Sequence, residues 1–142
     1  MAPSAFMTPE AAAEAALAAM RRGNLLTALR IAERGLRDAP DDLELKYLSV
    51  LALARSGATE LASQRFEWLG LGGTATAQGH LGVDIPALAA RLAKDRALGT
   101  QGPERVLLLL HAADACEAVF KASGDPYPGV NAAALVLWAG NR

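Results

Sequence analysis

One spacing constrains this chain more than any single motif does. Gly23 and Gly57, Ala28 and Ala62, Arg21 and Arg55, and Gly35 and Leu69 are each 34 residues apart, with no gap needed between them. A fixed period of that length marks a chain built from stacked supersecondary units, none of which can bury its apolar face alone. The local signals agree with the register. Thr8 followed by Pro9 reads as an N-cap and a first-turn proline, so a helix is expected from about Pro9 to Arg22. Gly23 breaks it, and Asn24 opens a second helix that continues to about Asp38. The run Asp38-Ala39-Pro40-Asp41-Asp42 is a stop followed by fresh N-cap residues. A third helix is expected from about Leu43 to Ser56, and a fourth from about Thr59 to Leu69.

These residues resemble the tetratricopeptide repeat (TPR), whose unit places a small residue at its inter-helix turn, alanine at the helix crossing and proline near its end. Gly23, Ala28 and Pro40 fit the first copy, and Gly57, Ala62 and Phe66 the second. The first helix departs from the pattern, because Ala12, Ala15, Ala16 and Ala19 stand where larger side chains are common. That fits an atypical terminal repeat. Composition points the same way. The chain has 32 alanines among 142 residues, and alanine is the strongest helix former. The fold class expected is all-α, a TPR-like antiparallel helix-pair array of about seven helices.

The period fades after residue 70. The stretch 71–83 reads as a glycine-rich linker between two TPR-like helix pairs (1–70) and a further helical segment (84–142). Gly70, Gly72 and Ala75 formally satisfy a dinucleotide-binding spacing, but that motif must leave a strand and open a helix, and this one follows a helix. Asp84 with Pro86 opens a helix to about Leu98, and Gly102-Pro103-Glu104 opens a long one to Ser123. Next comes a turn over Asp125, Tyr127, Pro128, Gly129 and Asn131, with the following helix expected to start near Pro128 or Val130. A polar loop feeding a helix N-terminus admits an anion site. A shaped turn between packed helices is the plainer reading. The last helix carries Val130, Leu135, Val136, Leu137 and Trp138 and reads as apolar all round, a pattern that calls for burial on every side. Either a partner or oligomer covers it, or the chain is cut short at its C-terminus, and the second reading is preferred.

A second resemblance rests on three ordered motifs: VLALARSGATELA, LAARLAKDRAL and GDPYPGVNAAAL. Together they resemble bacterial TPR proteins with a TRAFs-binding-type domain, a region named after a segment of the apoptosis signal-regulating kinases. Val130 departs from that pattern, where isoleucine is usual, and so does the glycine-rich linker. The resemblance implies protein–protein interaction without catalysis, often as the regulatory part of a longer signalling protein. TPR resemblance also implies a binding groove lined by the first helix of each unit. Its slots fall on Leu17 and Arg21 in the first copy, flanked by Glu10, Ala13 and Met20. In the second they fall on Tyr47, Leu51 and Arg55, flanked by Glu44 and Ala54. Arg21 and Arg55 would then take an acidic group of a peptide. Read on their own, they are ordinary solvated arginines.

Other chemistry is poorly supplied. With 14 basic and 15 acidic residues the net charge is −1, which is not the footprint of a nucleic-acid binder. Cys116 is the one cysteine, so no disulfide framework or zinc spacing exists. His111 and Asp114 share a helix face, but two ligands do not make a metal site. No nucleophile motif stands in the right context. The expectations are therefore no catalysis, no cofactor, a protein or peptide partner and no membrane. A cytoplasmic location follows by default, and the 11 arginines against 3 lysines hint at a GC-rich bacterial genome. The remaining class, a small-molecule or metal-binding bundle, predicts a ligand that co-purifies.

Overall fold

The computed structural model describes residues 7–73, 77–123 and 126–140. Among them are seven α-helices, one 3₁₀ turn and no strand. The chain divides into two compact units, Met1–Leu71 and Gly72–Arg142.

In the first unit the helices are α1 (Pro9–Arg21), α2 (Leu25–Asp38), α3 (Leu43–Arg55) and α4 (Thr59–Trp68). Each boundary lies within one residue of the sequence expectation, because local chemistry sets it. The Thr8 hydroxyl accepts the Ala11 N–H at 3.1 Å with Pro9 in the first turn, and the Asp42 carboxylate accepts the Leu45 N–H at 2.9 Å. At the other ends the two repeats stop in the same way. Gly23 has φ +80° and Gly57 φ +88°. The Gly23 N–H donates to the Met20 carbonyl and the Asn24 N–H to the Ala19 carbonyl, both at 2.9 Å. The Gly57 and Ala58 N–H groups repeat this on Ala54 and Leu53, both at 3.1 Å. This is the Schellman stop, which needs a left-handed residue that glycine adopts without strain.

Consecutive helices of this unit pack on one another, and α1 also packs on α3. Small residues permit the close approach: Ala16, Ala19, Ala28, Ala32 and Ala62 are fully buried. At Gly35 of α2 an added Cβ would lie 2.7 Å from a Leu45 methyl and 3.1 Å from the Ala12 Cβ, so α1, α2 and α3 meet over it. The bulk of the core comes from α3, where seven consecutive residues, Leu48 to Ala54, are buried. The buried Ser49 hydroxyl is satisfied by the Lys46 carbonyl at 2.8 Å.

The second unit contains α5 (Leu81–Gly99), α6 (Glu104–Ser123) and α7 (Pro126–Gly140), with α6 packed against both others. Its core mixes small side chains with larger ones, among them Ile85, Leu88 and Leu92 of α5. Ala97, Ala112, Ala113, Cys116, Ala132 and Ala139 are buried together with Leu109, Val119 and Leu135. Two sequence expectations change here. Helix α5 begins at Leu81 rather than Asp84, because Gly82 lets the chain fold back so tightly that a Cβ would lie 2.6 Å from the Ala77 carbonyl oxygen. Helix α7 begins at Pro126, so Tyr127, Pro128, Gly129 and Asn131 lie within it rather than in a preceding turn, while Asp125 falls outside the described residues. Prolines at its first and third positions cost little, since first-turn N–H groups have no intrahelical acceptor. The second apolar face of α7 is left uncovered among the described residues, as its all-round apolar pattern leads one to expect. It buries Ala132, Leu135 and Ala139 and exposes Val130, Val136, Leu137 and Trp138.

Candidate protein-interaction face

Helices α1 and α3 have 13 residues each and occupy equivalent places in the two repeats. Their equivalent ends meet directly, for the Arg55 guanidinium donates to the Met20 sulfur at 3.7 Å. This brings the two last-turn arginines, Arg21 and Arg55, to the same end of the pair. Both are exposed. A last-turn cation is favourable at any helix C-terminus, and α1 to α6 all carry one. Position in the helix therefore accounts for each arginine singly; their shared end is the additional feature.

Of the side chains expected to line a groove, Leu17 and Tyr47 are half-buried, each with some surface left to offer. Glu10 is exposed and Glu44 half-buried, both in first turns. Leu51 differs from expectation. It is 8% exposed and serves the packing of α3, as do the buried Ala13, Met20 and Ala54. Leu17 and Tyr47 thus keep partial exposure on the two helices whose last turns carry the exposed Arg21 and Arg55.

The side chains considered for catalysis or metal binding lie apart on α6. His111 and Asp114 are both exposed on α6, and Cys116 lies on the buried side. Burial pushes the Cys116 thiol above its ordinary value of 9.0, and the Lys94 ammonium partly opposes this. A thiol held protonated is a poor nucleophile. Among the described residues no group of three or more His, Cys, Asp or Glu side chains is placed to hold a metal ion. The sequence pattern KDR on α5 proves partly local, since Asp95 pairs with Arg91 of the same helix at 3.6 Å. Among the described residues no helix is long and apolar enough to cross a membrane.

Sequence reasoning passed over one feature. A cavity of about 490 Å³ opens between the C-terminal ends of α2 and α4, bounded by Leu36, Arg37, Pro40, Trp68 and Leu69. The Glu33–Arg65 ion pair, 2.7 Å, joins the two helices beside it. Trp68 is 81% exposed. The available signal was a tryptophan at the end of an amphipathic helix, which periodicity assigns to neither face.

Comparison with known proteins adds one result. No curated protein and no solved structure matches the chain. The family model described as Tetratricopeptide Repeats-Sensor, TPR-S, matches residues 24–136, which takes in most of both units. With the paired glycine stops, the buried crossing alanines and the all-helical architecture, that match is decisive: the chain belongs to the TPR-S family, whose domains are helical repeat modules for protein interaction or sensing.

Proposed function

We propose that the chain is a non-catalytic protein-interaction module that holds an extended peptide segment of a partner against α1 and α3. Leu17 and Tyr47 would contact its apolar side chains, and Arg21 and Arg55 would take a carboxylate at one end. The observation that carries this reading is the Arg55–Met20 contact, which places equivalent last turns of the two repeats side by side. A peptide library displayed on phage and panned against the full chain supplies the ligand for a test. Arg21→Glu/Arg55→Glu is expected to weaken the selected peptide by about tenfold or more, since a charge-assisted pair is lost and a repulsion added. Unchanged affinity removes these residues from the site.

The motif resemblance supports a finer placement, as the regulatory or scaffolding segment of a larger bacterial signalling protein with a TRAFs-binding-type region, acting in the cytoplasm. A longer reading frame with a recognisable effector domain would support that. The exposed Val130, Val136, Leu137 and Trp138 favour a second contact, self-association through α7. Sedimentation velocity across a concentration series, with Leu137→Glu as the control, decides it. A species that stays monomeric at all concentrations sinks the idea.

A further inference from the structure

We propose that the outer face of α2 is a second docking surface, separate from the α1–α3 face, for an acidic partner segment. A bulky apolar side chain of that segment sits in the cavity beside Trp68, and its carboxylates lie on Arg37, Arg34 and Arg30.

Three observations converge on this. Arg30, Arg34 and Arg37 stand at i, i+4 and i+7 on α2, and all three are exposed. At 3.6 residues per turn they share one face. Among the described residues none of them is in an ion pair. That is notable because α2 offers carboxylates at pairing distance in sequence, Glu33 before Arg37 and Asp38 after Arg34. Glu33 is instead held by Arg65 across the helix pair. Nor does the helix dipole account for the row, since Arg30 and Arg34 lie before the last turn. The guanidinium groups are thus charged, solvated and uncommitted.

The second observation is the cavity at the C-terminal end of this row, with Arg37 on its rim. Its apolar lining comes from Leu36, Pro40, Leu69 and the exposed indole of Trp68. Apolar pockets edged by arginine and tryptophan are the usual seats of dominant interface residues. The third is the stripe's far end, where Leu26 is 62% exposed. From Arg30 to Arg37 the helix rises about 10 Å, which an extended chain covers in about three to four residues. The fitting segment therefore carries an aromatic or aliphatic residue followed closely by two or three carboxylates. A nucleic acid fits less well. The net charge of the chain is −1, and Glu33 and Asp38 lie on the same helix as the row, where a continuous polyanion would meet them.

The test uses the full chain carrying Trp138→Phe, which leaves Trp68 as its only indole. The probes are labelled peptides of about ten residues with one central Phe and zero to four Glu, plus matched glutamine peptides. Anisotropy should show affinity rising with each Glu up to about three, with glutamine peptides weaker by about tenfold. Trp68 emission should shift on binding. Arg30→Gln/Arg34→Gln/Arg37→Gln and Trp68→Ala should each reduce affinity about tenfold or more with an unchanged melting curve. Arg→Lys replacement of the row should fall between, since charge remains but the bidentate geometry is lost. Arg21→Gln/Arg55→Gln should leave the Trp68 emission shift intact, since that signal reports the α2 site alone. The proposal is overturned by equal binding of Glu and Gln peptides or by indifference to the α2 variants. It is also overturned by an oligonucleotide outcompeting the peptides at equal charge, or by self-association that the α2 variants abolish.

Discussion

In the first unit, α1 and α3 stop at glycines with matching φ and matching pairs of hydrogen bonds, 34 residues apart. In the second, α5 runs 19 residues and ends where the Thr100 hydroxyl donates to the Arg96 carbonyl at 2.7 Å. The cores differ in the same way. The first places fully buried Leu45, Leu48 and Val50 on one central helix surrounded by alanines. The second turns alanines inward from all three helices and leaves Leu107, Val130 and Leu137 about two-thirds exposed or more. A repeat places its large side chains where neighbouring units cover them. The second unit buries alanines beside Ile85, Leu88, Leu92, Leu109 and Leu135, and among the described residues it exposes more large apolar side chains than the first. Buried and exposed apolar bulk are thus divided differently in the two units.

Core truncation should break this contrast most sharply. Leu45→Ala and Leu135→Ala each remove a fully buried side chain, and each should cost about 2–5 kcal/mol. Hydrogen exchange should localise the first loss to α1–α4 and the second to α5–α7. Equal exposure of all seven helices by either variant would erase the division into two units.

Glycine replacements come next. Gly23→Ala and Gly57→Ala force a left-handed alanine and should cost roughly 1–2 kcal/mol each, by similar amounts if the repeats are equivalent. Gly99→Ala meets no atom within 4 Å and no positive φ, so it should stabilise by about 0.4–1 kcal/mol. Urea denaturation of the three variants gives the ordering. A smaller effect is expected from Glu33→Gln. The Glu33–Arg65 pair is partly solvated, so its loss should cost at most about 1 kcal/mol and vanish in high salt.

The smallest effect belongs to Cys116. Its folded-state pKa is raised, so the folded chain holds that proton more tightly than the unfolded one. The stabilisation is fully present below pH 9.0 and is lost as pH rises through the raised folded value. As pH rises above 9.0 the wild type should therefore lose slightly more stability than Cys116→Ala. Parallel curves would show that burial of the thiol has no such consequence.

What could be read from sequence divides along the same line. Thr8, Asp42, Gly23 and Gly57 act on their own backbone, so helix boundaries in the first unit followed from local chemistry. Gly82 was read as linker because its reason is a nearby carbonyl, not a turn type. Tyr127, Pro128 and Gly129 were read as a turn because their residue types suit one, yet the first turn of a helix tolerates them equally. For the candidate face, the TPR resemblance placed Arg21 and Arg55 at equivalent slots but also put Leu51 on the open surface. Periodicity says which residues share a face and not how many neighbours a helix has, and α3 has neighbours on nearly every side. The cavity beside Trp68 depends on where two helix ends meet, which no residue pattern encodes.

The central claim is that the repeat pair α1 and α3 forms the partner-binding face. Hydrogen exchange of the full chain, with and without the tightest peptide from a randomised library, tests it most directly. The account predicts new protection in α1 and α3 centred near Leu17 and Tyr47, lost in Arg21→Glu/Arg55→Glu. Protection confined to α5–α7, or to α2 alone, would contradict it.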